Sequence, residues 1–138
     1  MIDISINGEP LQVTSIEELD AALVRSEQQP QLELWALVPN GARMAMLRNG
    51  TNAWLMYLRF HGDAGFVSQG DPTKIGSAAY ELANGQVDQY PLSWCIDVDQ
   101  CYRAVMYFFV NDGARPEWVR WQASSCESQS AQRRKCSH

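Results

Sequence analysis

Two aspartates, Asp97 and Asp99, and the histidine His61 are the residues of this 138-residue chain whose types could do acid–base chemistry. A carboxylate pair with an imidazole base would suit a small hydrolase. Both carboxylates have another use, however: Asp97 stands where a helix must begin and Asp99 falls in its first turn, where carboxylates satisfy orphan N–H groups and the positive helix end. His61 adjoins a glycine turn, and no serine or cysteine sits in a nucleophile elbow. Cys95 and Cys101 are separated by five residues and Cys126 and Cys136 by nine, wider than the paired ligands of zinc sites, and the histidines are only His61 and His138. The cysteines read as free thiols, and no metal or cofactor is expected. Dinucleotide, P-loop, HExxH and zinc-deaminase patterns are all missing from the sequence. The residues point to a binder more than a catalyst.

The elements that must position these groups are legible from periodicity. Ile2, Ile4 and Ile6 alternate as a strand that turns at Gly8; Ser15 opens a helix with Glu18 as a capping box, and Ile16, Leu19 and Leu23 form its buried stripe up to the stop before Pro30. Strands are predicted over about 32–38, 42–47, 53–60, 65–68, 75–82 and 86–90, joined by turns at Pro39-Asn40-Gly41, Asn49-Gly50, His61-Gly62-Asp63, Gly70-Asp71-Pro72 and Asn84-Gly85. Asn49-Gly50-Thr51 also matches a glycosylation acceptor, but a turn accounts for it. The strand at Trp54 is apolar on both sides, with Trp54, Met56, Leu58 and Phe60 on one and Ala53, Leu55 and Tyr57 on the other, which predicts a central strand. If both helices cover one face, the other must be covered by sheet curvature, by loops or by a partner.

A second helix starts at Asp97, with Gln100 completing a capping box and Ile96 a staple onto Cys101. Val98, Cys101, Tyr102, Val105, Met106 and Phe109 share one face with Phe108 at its edge; Gly113 and Pro116 end it, and Trp118 and Trp121 flank Val119 and Arg120 in a closing strand. The sum is an α+β single domain, an antiparallel sheet of about six to eight strands with two helices, over residues 1–123. Residues 124–138 form a polar, basic tail that buries too little to offset its ordering and is expected to be disordered.

Charge limits the partners. The whole chain carries −5; residues 124–138 set Glu127 against Arg133, Arg134 and Lys135, a net +2, so residues 1–123 carry −7. An acidic body repels phosphates and attracts basic partners. No apolar run spans a bilayer, and the amino terminus lacks a signal-peptide pattern, so the expected location is the cytoplasm, without membrane or direct nucleic-acid binding.

The string FVSQG at Phe66–Gly70, the ANGQ turn at Ala83–Gln86 followed by Tyr90-Pro91, the helix from Asp97 ending YFF, and the closure Gly113, Arg115, Pro116 and Trp121 together resemble the Imm-one immunity proteins of bacterial polymorphic toxin systems. The resemblance covers roughly residues 34–121. It implies a cognate toxin, a basic nucleic-acid-modifying protein such as a cytidine deaminase or a nuclease, held off its substrate by a protein that covers its cleft. It implies no catalytic residues. Contacts are expected from charged and aromatic residues around the middle hairpins: Asp63, Gln69, Asp71, Glu81, Asp88, Gln89, Tyr90 and Trp94. A regulatory module with a non-toxin partner and a hydrolase using Asp97, Asp99 and His61 are the competing readings.

Overall fold

The computed structural model describes residues 2–124. The expected tail, with its basic cluster and with Cys126 and Cys136, lies outside the described residues apart from Ser124.

In chain order the elements are β1 (Asp3–Ile6), β2 (Glu9–Leu11), α1 (Ile16–Ser26), β3 (Gln31–Leu37), β4 (Arg43–Asn49), β5 (Asn52–Leu58), β6 (Phe66–Ser68), β7 (Ser77–Glu81), β8 (Val87–Pro91), a 3-10 turn at Leu92–Trp94, α2 (Val98–Val110) and β9 (Trp121–Ala123). Seven strands form one antiparallel sheet in the order β2-β1-β3-β4-β5-β6-β9. The expected α+β class with an antiparallel sheet of six to eight strands holds, and β7 and β8 form a separate two-stranded sheet beside it. The edge of β6 that β7 would have joined is taken by β9, arriving from the far end of the sequence.

One face of the large sheet is closed by the helices. Leu32, Leu34 and Ala36 of β3, Met44 and Met46 of β4, and Ala53, Leu55 and Tyr57 of β5 meet Leu19 and Leu23 of α1 and Cys101, Ala104, Val105 and Phe108 of α2 in one buried cluster. Alternation in the strands and three- and four-residue spacing in the helices put these side chains on facing surfaces. The α2 stripe is rotated from the expected one: Phe108 is fully buried at its centre, whereas Met106 and Phe109 lie at the edge. Arg48 extends on the same side and donates from Nη2 to the Ser26 carbonyl at 2.7 Å, tying down the end of α1.

The caps follow the local chemistry with two corrections. Ser15 Oγ accepts from Glu18 N, but the Glu18 carboxylate reaches back to the N–H and hydroxyl of Thr14, which hold its pKa down. Asp97 caps α2 by accepting from Asp99 N, in place of the expected capping box with Gln100. Gly113, at φ +91°, donates to the Phe108 carbonyl, and a Cβ there would lie 2.5 Å from Val38 Cγ2. The closing strand begins at Trp121; Val119 is buried just before it, and Trp118 is exposed. The short β2, which no alternation announced, pairs β1 across the Asn7-Gly8 turn.

Candidate functional site

The second face of the sheet is the one the sequence left to curvature, loops or a partner, and a small sheet covers part of it. The β7–β8 hairpin lies across β3 and β4 and is pinned by side chains. Asn49 Nδ2 donates to the Ala79 carbonyl, Gln31 Oε1 accepts from Glu81 N, and Glu33 Oε1 accepts from Ala83 N. Beneath the hairpin Leu47, Trp54, Val67, Tyr80 and Trp94 make a second buried cluster. Trp54 is its hub, with ring centroids 4.7 Å from Tyr90 and 5.1 Å from Trp94. Aromatic edges and faces meeting at such separations add favourable electrostatics to area burial.

The FVSQG string is the junction between the two clusters. Ser68, fully buried, accepts from Leu55 N and donates to the Trp94 carbonyl; Gln69 N donates to the Arg120 carbonyl; Gly70 N donates to the Ser93 carbonyl at 2.7 Å. A Cβ at Gly70 would collide with the Cys95 carbonyl, so this close approach requires glycine. Phe66 lies between two guanidiniums, 5.3 Å from Arg59 and 4.8 Å from Arg115. The closure motif is equally structural: Tyr57 donates to the Gly113 carbonyl and Trp121 Nε1 to the Pro116 carbonyl.

The hairpin stops short of the far end of β3–β5, and there the face opens as a groove of about 1100 Å³. Its floor is Trp35, Ala45, Leu47, Trp54, Met56 and Leu58; one wall is the hairpin side with Leu82, Gln86, Asp88, Tyr90 and Trp94, the other is the 59–65 loop, and Ala123 and Ser124 also line it. An apolar floor with a few polar groups at the margins is the ordinary form of a binding surface.

Of the expected contact residues, Asp63, Asp88, Tyr90 and Trp94 line this groove, and Gln69, Asp71, Glu81 and Gln89 do not. Asp63 is engaged by Arg59, whose backbone N–H, Nε and Nη2 all donate to it at 2.8–2.9 Å; this hydrogen bonding holds its pKa well below the usual carboxylate range. Asp88 accepts from Gln86 Nε2 at 2.7 Å and from the Tyr90 hydroxyl at 3.0 Å, while burial and Asp88 push the Tyr90 phenol up, so it stays a neutral donor. Trp94 is 7% exposed and supports the wall from within. Asp71 folds onto Thr73, and Gln89 accepts from the Ser77 hydroxyl on the hairpin.

The floor residues Trp35, Leu47, Trp54, Met56 and Leu58, and Arg43 at the margin, were not among the expected contacts. The signal for three of them was the strand apolar on both sides, which named Trp54, Met56 and Leu58 as a face in need of cover.

The hydrolase set is not assembled. His61 lines the groove at the end of β5, its Nδ1 3.3 Å from Arg43 Nη1, whereas Asp97 follows the Ile96–Ala53 bridge at the start of the same strand. The five steps from Ala53 to Leu58 extend about 17 Å. Neither Asp97 nor Asp99 lines the groove. Cys95 and Cys101 are free thiols, and burial pushes the Cys101 thiol far up, so it is not a poised nucleophile. Among the described residues no group of three metal-ligating side chains gathers.

The family model described as immunity protein Imm1 matches residues 7–123. No curated protein matches the chain.

Proposed function

The chain belongs to the Imm1 immunity protein family, and we propose that it neutralises its cognate toxin by seating part of the toxin in the groove and so covering the toxin's active-site cleft. The observation that carries this reading is the half-covered second face, where partly exposed Trp35, Met56 and Leu58 form an apolar floor between two polar walls. Surface of this kind gains by being removed from water, and aromatic side chains supply most of the energy of such interfaces. We assign Asp63, Asp88, Tyr90 and Trp94 to the contact region with the floor residues, and Gln69, Asp71, Glu81 and Gln89 to its surroundings.

The toxin we infer is a nucleic-acid-modifying protein, foremost a cytidine deaminase. Residues 1–123 carry −7, and a protein that handles nucleic acid presents a basic cleft to phosphates, so the acidic body speeds encounter with it. Inhibition on this reading is steric and electrostatic. It takes place in the cytoplasm, without cofactor, catalysis or nucleic-acid contact; no helix among the described residues is long and apolar enough to cross a membrane.

Co-expression with the candidate toxin domain, sought first in the neighbouring gene, tests this. Growth should return and deaminated bases should stop accumulating in the cells' nucleic acid. Strand breaks in place of deaminated bases in the unprotected cells would identify a nuclease, to which the same charge argument applies. Unrelieved killing, with no complex between the purified proteins, would end the immunity reading.

A further inference from the structure

The charges that line the groove are unevenly satisfied. Glu33 accepts from Trp35 Nε1 and Ala83 N, Asp63 from Arg59, and Asp88 from Gln86 and Tyr90, so each of these carboxylates has both oxygens engaged by this chain's own donors. The cations differ. Arg59 is paired with Asp63, but half-buried Arg43 has no carboxylate within ion-pair distance among the described residues and only His61 Nδ1 beside its Nη1. Its Nε is buried without an acceptor, and so is Nε1 of Trp54, which is 3% exposed in the floor. A buried donor without an acceptor is unfavourable, and a guanidinium without a counter-charge adds to that cost. Inside an acidic protein, the groove therefore has donors to spare.

We propose that the groove is completed by a carboxylate carried on an apolar segment of the toxin, an Asp or Glu side chain that pairs with Arg43. The inference rests on the groove being the toxin's seat, and it adds what must enter. Leu47, Met56 and Leu58 call for apolar side chains flanking the carboxylate. A lysine or arginine in that place would meet Arg43 with like charge. The exterior and the groove thus act at different ranges: the acidic body draws in a basic partner, and Arg43 selects the acidic residue within that partner's docking segment.

The probe is the cognate toxin domain, catalytically inactivated, titrated by calorimetry against the full chain and its Arg43→Gln and Arg43→Lys variants. Arg43→Gln should weaken binding by about thirty-fold or more, as truncating one member of a charge pair that the partner buries does, and Arg43→Lys should weaken it less. Neutralising the matching toxin carboxylate should give the same loss, with no further loss in the double variant. The free Arg43→Gln chain should melt at or above the temperature of the unsubstituted chain. Unchanged affinity overturns the proposal, and so does a marked fall in the free chain's melting temperature, since this chain would then supply its own counter-charge. A photocrosslinking residue in place of Met56 separates the two failures. A complex that forms without crosslinking there leaves immunity standing and removes the carboxylate from the groove, whereas no complex at all removes both.

Discussion

The two faces of the large sheet are built from the same strands and end in different states. On the helix side Leu34, Met46, Leu55 and Phe108 are fully buried and the surface is sealed. On the other side the next residues along the same strands divide: Leu47 and Trp54 are buried beneath a two-stranded hairpin that spans only part of the face, and Trp35 and Met56 are left partly exposed. Two amphipathic helices can seal a sheet because each presents a continuous stripe. A hairpin of two five-residue strands cannot, and the uncovered remainder is the groove. Stability thus resides chiefly on one face and the recognition we propose on the other, with the FVSQG segment joining them.

Neighbouring residues of β5 give the sharpest way to break this contrast. Leu55→Ala, on the helix side, should lose about 2–5 kcal/mol in chemical denaturation, whereas Met56→Ala, half-exposed in the groove, should lose about 1 kcal/mol and show its main effect on toxin affinity. Equal losses in the free protein would mean that the two faces are not distinct.

Glycines compare the faces at similar backbone angles. Gly113 has φ +91° with Val38 against it, and Gly85, at the hairpin tip, has φ +90° with open space around it. Gly113→Ala should cost about 2–4 kcal/mol, from left-handed strain and overpacking together, and Gly85→Ala about 1–2 kcal/mol from strain alone. If denaturation gave the two the same cost, close packing under Gly113 would not be what the helix side depends on.

A smaller effect is expected at the start of α1. Ser15→Ala removes the acceptor for Glu18 N and should lower stability by about 1 kcal/mol without altering toxin affinity, since α1 lies on the sealed face. Weakened binding by that variant would extend the functional surface beyond the groove.

The groove wall has an acid-sensitive fastening. Asp63 is held by Arg59, and its pKa in the folded protein lies below the value of about 3.9 expected in the unfolded chain. A depressed carboxylate adds stability that is complete above the unfolded value and is lost as pH falls below it toward the folded one. Melting temperatures of the unsubstituted chain and Asp63→Asn should therefore differ at neutral pH and converge as the pH is lowered through 4 toward 2. A constant gap across that range would show that the carboxylate charge is not what holds the 59–65 loop.

Much of the fold was legible because its signals are local. Ser15, Asp97 and Gly113 marked helix ends through backbone groups within a few residues, and Asn40-Gly41, Asn49-Gly50 and Asn84-Gly85 marked the turns. The candidate site was legible in part. Charged and aromatic character found Asp63, Asp88, Tyr90 and Trp94, but the same criterion chose Gln69, Asp71, Glu81 and Gln89, which lie outside the groove, and passed over Met56 and Leu58. Residue type reports what a side chain could offer and nothing of which concavity it faces. Asp63 shows the limit from the other side, since the donors that occupy it are set by the loop geometry around Arg59.

By itself the sequence determined the elements, their caps and turns, the two-faced character of β5 and the net acidity, because each depends on spacing along the chain or on composition. The tertiary structure alone decided that β9 takes the free edge of β6, that β7 and β8 lie across the second face, and that Arg43 is left in the resulting groove without a counter-charge among the described residues. Those outcomes depend on which distant segments compete for the same edge and the same apolar surface, and a period of two or three and a half residues carries no record of that competition.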